Sequence, residues 1–231
     1  LFADEGYPGV IIEIGAGMEK VERTGDTGIR AQAGVSLSAL AAFAAREGLS
    51  GLEFAGGIPG TLGGAVTMNA GAYGGEMKDV IVSAKVMDEE GAVQELSCEE
   101  LQLGYRTSIV QKKQFVVLEA EFLLKPGTTE EIQNTMKELN AKRREKQPLE
   151  YPSAGSTFKR PEGYFAGKLI EDAGLRGYRV GDAQVSEKHC GFVVNRGKAT
   201  CAEVLQLIGD VQKTVKEQFG VQLEPEVRII R

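Results

Sequence analysis

The sequence predicts an α+β fold, on three observations. β-Rich runs and amphipathic helical stretches occur in mixed order, without the regular strand–helix–strand alternation of a doubly wound sheet. Glycine is concentrated in one segment, "AGGIPGTLGGAVTMNAGAYGG" at 55–75, which holds eight of the chain's thirty glycines. The composition changes after residue 124, and 231 residues suffice for two cores, so two lobes are expected, 1–125 and 126–231.

The elements follow in order. "GVIIEIG" (9–15) is a β-rich run bounded by glycines and reads as a strand. A helix starts after Ser36 as N-cap, with Leu37, Leu40, Ala41 and Ala44 on one face and Gly48 as a left-handed stop. After the glycine segment, "VIVSAKVMDEEGAVQEL" reads as two strands around an acidic turn ending at Gly91, and "QFVVLEAEFLL" as another strand. Thr128 and Glu131 have capping-box spacing ahead of Ile132, Met136 and Leu139, with Pro148 beyond, a helix expected to be the hinge between lobes. "YFAGKLIEDAGLRG" is a shorter helix and "CGFVVN" a short strand. Thr200 and Glu203 cap the longest helix, which buries Val204, Leu207, Ile208, Val211 and Val215 and stops at Gly220; "EVRII" reads as a closing strand.

Composition narrows the function classes. A formal charge of −6 argues against broad nucleic-acid or anionic-membrane binding, while leaving room for a small anionic ligand met by local charge. No apolar run approaches the roughly 18 residues of a membrane span. Cys98, Cys190 and Cys201 lack metal-type spacing, and the single histidine, His189, excludes a multi-histidine metal site. A cytoplasmic monomer without metal is expected. The chain opens at Leu1 with no signal-peptide pattern, and the expectation is that an N-terminal portion precedes it.

The glycine segment asks for a ligand that approaches the backbone, because glycine-rich turns can aim main-chain N–H groups at an anion. It is not a P-loop, since no Lys-Ser/Thr pair follows its last glycine, and it does not keep the G-x-G-x-x-G spacing of a Rossmann fingerprint. A tightly packed loop without ligand is the alternative. The amide-bearing Asn69 among small residues favours a planar or phosphorylated ligand.

"GLEFAGGIPGTLGGAVTMNAGAYG", "LGYRTS", "PSAGSTFKRP" and "LEPEVRII", in that order, resemble the UDP-N-acetylenolpyruvoylglucosamine reductase (UDP-N-acetylmuramate dehydrogenase) family over essentially the whole chain. The resemblance implies the second part of a two-part FAD-binding domain over 1–125. A substrate-binding domain would follow over 126–231, its last strand returning to the active site. It implies FAD and NADPH as cofactors and UDP-N-acetylglucosamine enolpyruvate as substrate. Hydride would pass from NADPH to FAD and on to the substrate's vinyl carbon, with negative charge developing beside the carboxylate. The first part of the FAD domain would precede Leu1.

The same resemblance assigns residues. Ser156 matches the proton donor, Arg106 the arginine on the substrate carboxylate, and Glu226 the acidic active-site residue. Read alone, each is equally a turn serine, a strand-end arginine or an edge carboxylate, and Glu224 shares the expected face of Glu226. Gly57, Ile58, Pro59, Gly60, Gly63, Gly64, Asn69, Gly71 and Arg228 are implied flavin contacts, and Lys146 and Arg160 implied substrate contacts. The short connection from Arg106 to Ser156 resembles the family's compact subgroup. His189 reads as structural or pocket-lining. Two rivals stand beside this reading: a flavin- or nucleotide-sugar-binding fragment without activity, and a flavin oxidase, against which the position of His189 outside the glycine segment counts.

Overall fold

A computed structural model describes residues 1–231. The chain forms two compact units, residues 12–143 and residues 1–11 together with 144–231.

In the first unit, five antiparallel strands line up in the order Val21–Thr24, Gly28–Gln32, Val116–Leu123, Ile81–Met87, Val93–Ser97. Alternation sorts the faces. Ile29 and Ala31 turn inward, while Arg30 between them faces outward and pairs with Glu121 on the neighbouring strand. Helix α1 (Leu37–Arg46) buries Leu37, Leu40, Ala41 and Ala44 in the same core as Phe122, Leu62, Val66 and Met77. The Ser36 hydroxyl accepts from the Ala39 N–H at 3.2 Å, and Gly48 takes the left-handed conformation (φ +67°) past the helix end. Two short helices follow, α2 (Leu62–Thr67) and α3 (Ile109–Lys112). Helix α4 (Thr129–Lys146) opens with Thr128, whose hydroxyl accepts from the Glu131 N–H at 3.3 Å. Of its expected stripe only Ile132 is fully buried; Met136 and Leu139 are half-buried.

The second unit is built on a four-stranded antiparallel sheet, in the order Ser153–Ser156, Phe192–Asn195, Ala183–Val185, Arg179–Val180. Helices α5 (Ala166–Asp172) and α6 (Cys201–Phe219) share a core with it through Ile170, Val185, Leu207, Val211 and Val215. Val204 is only half-buried. The capping box of α6 is complete: Thr200 accepts from the Glu203 N–H and Glu203 from the Thr200 N–H, each at 3.1 Å. Asp4 doubles the cap, its carboxylate accepting from the N–H groups of Cys201 (2.6 Å) and Ala202 (3.0 Å). Gly220 ends the helix at φ +70°.

Two expected strands are absent. Residues 9–15 form no ladder, and Val10, Ile11 and Ile12 are 86%, 59% and 85% exposed. β-Propensity describes fit to a pleated, half-buried surface, and here no neighbouring strand supplies one. The terminal "EVRII" is likewise not a regular strand; the β-pairings of its segment are isolated bridges, Pro225 to Phe158 and Ile230 to Phe2. The units part between Arg143 and Arg144, inside α4, rather than near residue 125, because Met136 packs against the first core. No helix is long and apolar enough to cross a membrane.

Candidate active site

The glycine segment lies in the first unit and divides into two kinds of glycine. At Gly56, Gly57 and Gly75 the space of a Cβ is taken by the protein itself: by Met136 Cε at 2.8 Å, by Asn140 Oδ1 and by the Phe54 ring at 2.7 Å. Gly71 meets Glu76 Cβ at 2.7 Å, and Gly63 lies against Ala33 Cβ at 3.2 Å. Gly60 and Gly64 differ. Both are exposed, neither would meet an atom within 4 Å of an added Cβ, and Gly60 holds φ +122°, a conformation closed to most side chains. Pro59 is exposed and Ile58 half-buried between these two groups. Bare main chain thus faces open space at Gly60 and Gly64, a surface that fits a flat or phosphorylated group.

Asn69, also expected on that surface, has its side chain turned into the protein. It is 1% exposed in a left-handed conformation (φ +47°). Its amide donates to Glu76 Oε2 at 2.8 Å and to the Gly104 carbonyl at 3.2 Å, and its carbonyl accepts from the Lys78 N–H at 2.9 Å.

Gly104 opens the tight turn that carries Arg106. Gly104 and Thr107 exchange both backbone hydrogen bonds, at 3.0 and 3.2 Å, leaving Tyr105 and Arg106 at the tip. Arg106 sits at φ +54°, a strained position for a residue with a Cβ, and its guanidinium lies 5.4 Å from the Tyr105 ring centroid. Ser108, fully buried, ties the other end of the turn to the glycine segment by donating to the Thr67 carbonyl at 2.5 Å.

In the second unit, Ser156 ends the first strand of the sheet, exposed and opposite Phe192 across an irregular register. The next residue is a junction. Thr157 is buried; its N–H donates to the Gly191 carbonyl at 2.8 Å, its hydroxyl accepts from the Val193 N–H at 3.0 Å, and its carbonyl accepts from the Glu226 N–H at 2.8 Å. Ser156 and Glu226 therefore hang from one fixed backbone node. Glu224 is set apart from Glu226: it is exposed and ion-paired with Lys159. Arg228 is exposed, its carbonyl accepting from the Leu1 amino group at 2.8 Å.

Ser156 opens onto a cavity of about 310 Å³, which Arg160, Lys168, Arg176, Lys188, Glu171 and His189 also line. Four cations against one carboxylate suit a phosphorylated ligand. Arg160 stacks over Phe165 at 4.0 Å and donates to the Tyr164 carbonyl at 3.3 Å. Arg176 is pinned by Glu171 at 2.6 Å, and Lys188 by the Arg144 carbonyl at 2.7 Å. His189 lines this cavity as expected, its Nδ1 accepting from the Gly191 N–H at 3.0 Å. Burial, with help from the charges of Arg176 and Lys146, holds its imidazole below the ordinary value. Lys146, at the end of α4, is exposed and close enough for His189 to feel its charge. Sequence reasoning did not find Thr157, Ser108, Arg176 or Lys188, since no spacing signal marks residues that the sheet and turns bring together.

An exposed glycine-backed surface in one unit and a cationic cavity in the other fit a protein that holds a dinucleotide cofactor and a phosphorylated substrate. Comparison with known proteins agrees. Residues 1–97 match the model of an FAD-binding domain, and residues 147–230 match the C-terminal domain of UDP-N-acetylenolpyruvoylglucosamine reductase. The chain is thus a flavin-domain protein of mixed α+β fold. It belongs to the UDP-N-acetylenolpyruvoylglucosamine reductase family. The relative of that name from Agathobacter rectalis is 60% identical, over all of this chain and 77% of its own length. The one from Lachnoclostridium phytofermentans is 67% identical over 86% of this chain and 64% of its own. The crystal structure of the Thermus caldophilus reductase superposes with a TM-score of 0.77 at 41% identity, over 87% of this chain and 72% of that one.

Proposed function

We propose that this chain is an FAD-dependent, NADPH-using oxidoreductase that reduces UDP-N-acetylglucosamine enolpyruvate to UDP-N-acetylmuramate, a step of peptidoglycan precursor synthesis. The carrying observation is a match at 60% identity that runs the whole length of the chain. That continuity favours the enzyme over a binding fragment without activity. Bound FAD would supply the hydride-transfer chemistry between NADPH and the substrate. The match over 1–97 supports an FAD domain in the first part of the chain, and that over 147–230 a substrate domain in the last part. Three free cysteines, without a disulfide, support a reducing cytoplasm.

The chain's own residues take the remaining tasks. The main chain at Gly60 and Gly64, together with Ile58, Pro59 and Arg228, would hold the cofactor. Gly57, Gly63 and Gly71 serve it indirectly, because their missing side chains let the segment close on its neighbours. Arg106 offers a planar fork to the substrate carboxylate, where it also stabilises the negative charge that develops on the adjacent carbon. The Ser156 hydroxyl donates the proton to that carbon, and Glu226, held beside it through Thr157, orients the donor. Arg160 and Lys146 meet the diphosphate.

The test separates the two half-reactions. In Ser156→Ala, reduction of the flavin by NADPH should stay within about twofold of wild type, while reoxidation by the enolpyruvyl substrate falls about 10²–10⁴-fold, the usual contribution of a positioned acid. Equal losses in both steps, or none in either, would remove Ser156 from the mechanism.

A further inference from the structure

Asn69 belongs by sequence to the cofactor surface, yet its side chain is spent on the protein. All three of its amide contacts are internal, and one of them reaches 35 residues along the chain to the carbonyl of Gly104. That carbonyl sits at the base of the two-residue turn whose tip is Arg106. The turn holds a left-handed arginine, a conformation that persists only when the surroundings enforce it. Two groups enforce it from the glycine segment: Asn69 at one foot of the turn and Ser108, bonded to the Thr67 carbonyl, at the other. Thr67 and Asn69 in turn flank the end of α2, which carries Gly64.

We propose that Asn69 is a positioning residue for Arg106, with Ser108 as its second tether, so that the segment backing the flavin also sets the aim of the carboxylate clamp. The proposal rests on the reading of Arg106 given above. It removes the Asn69 amide from direct cofactor contact and assigns it to the substrate side. An amide is required at this position because the two neighbours, a carboxylate and a carbonyl, are both acceptors, while the third, the Lys78 N–H, is a donor. Only Asn matches that pattern at this length.

The experiment uses the full chain loaded with FAD and two readouts: substrate affinity by titration calorimetry, and flavin content with its rate of reduction by NADPH. Asn69→Asp keeps the size and the acceptor for Lys78 but loses both donors. Substrate affinity should weaken about tenfold or more, the value of one lost hydrogen bond to a charged or strained partner, with flavin content and reduction within about twofold of wild type. Adding Glu76→Gln relieves the contact of like charges and lets residue 76 donate. Thermal stability should then recover while substrate affinity stays low, because the Gly104 carbonyl keeps only the Thr107 N–H and still lacks the bond from residue 69. Affinity that recovers together with stability, or flavin lost along with substrate, overturns the proposal. If Asn69→Asp gives no soluble protein, Ser108→Ala carries the test: the same selective loss supports the proposal, and unchanged substrate affinity overturns it. Arg106→Ala separates the levels. If it binds substrate normally, the reading of Arg106 falls; if it loses affinity while Asn69→Asp does not, only the present inference falls.

Discussion

Replacing Gly64 with alanine should make the apo-chain more stable and the flavoprotein worse. Gly64 is the third residue of α2, its φ is not in the left-handed range, and nothing lies within 4 Å of a built Cβ. A compatible Gly→Ala change stabilises by about 0.4–1 kcal/mol, through the lower entropy of the unfolded chain. For a chain of this size that is a rise in Tm of about 1–4 °C. The same methyl group stands where the glycine surface is bare, so a ring or phosphate packed against that backbone would have to retreat. Overpacking of this kind costs about 1–3 kcal/mol, which corresponds to roughly a 5- to 150-fold loss of FAD affinity. The assays are differential scanning fluorimetry of the flavin-free chain and FAD titration followed by quenching of flavin fluorescence. Gly75→Ala is the contrast: its Cβ would meet the buried Phe54 ring at 2.7 Å, so stability falls with or without flavin. If Gly64→Ala raises Tm and binds FAD as tightly as wild type, the exposed backbone at Gly64 is not the flavin surface.

Two further predictions concern stability. The His189 imidazole is held below its ordinary value of 6.5 by burial, so the unfolded chain binds more protons than the folded one as pH falls through that value. Stability is therefore full above about pH 6.5 and declines on acidification until the folded imidazole itself protonates; urea midpoints at pH 7.5 and 5.5 should differ less in His189→Asn. A variant with the same pH slope as wild type would show that other groups set it. Removal of the second cap on α6 by Asp4→Ala should cost about 1 kcal/mol, read as a lower urea midpoint, and an unchanged midpoint would mean that the Thr200–Glu203 box suffices.

The elements legible in the sequence were those whose signals are local. Ser36, Gly48, Thr200 and Gly220 announce helix ends through side-chain and backbone chemistry within a few residues, and the structure places each where that chemistry puts it. Residues 9–15 and the terminal "EVRII" misled because a strand exists only with a partner, and composition carries no information about the partner. The glycine cluster was legible as a close approach of something to the backbone, but not as two approaches. Gly56, Gly57 and Gly75 admit Met136, Asn140 and Phe54, while Gly60 and Gly64 remain open. Asn69 was legible as unusual, but its bond to the Gly104 carbonyl was not, because Gly104 is distant in sequence. The cavity's Arg176 and Lys188 look like ordinary surface cations until the sheet and α5 bring them beside Ser156.

The five-stranded sheet has an order with consequences for how the molecule is made. Strands Val21–Thr24 and Gly28–Gln32 form one hairpin and Ile81–Met87 and Val93–Ser97 another, yet the two hairpins never touch as strands; Val116–Leu123 lies between them and bonds to both. During synthesis the first hairpin must wait some eighty residues for its neighbour, with the glycine segment and the Arg106 turn emerging in the interval. Such distant pairing slows folding. It also means that the sheet can close only by stitching shut the stretch that bears these groups, so a nascent chain with that stretch disordered would display two separated hairpins, each with an unpaired edge open to other chains.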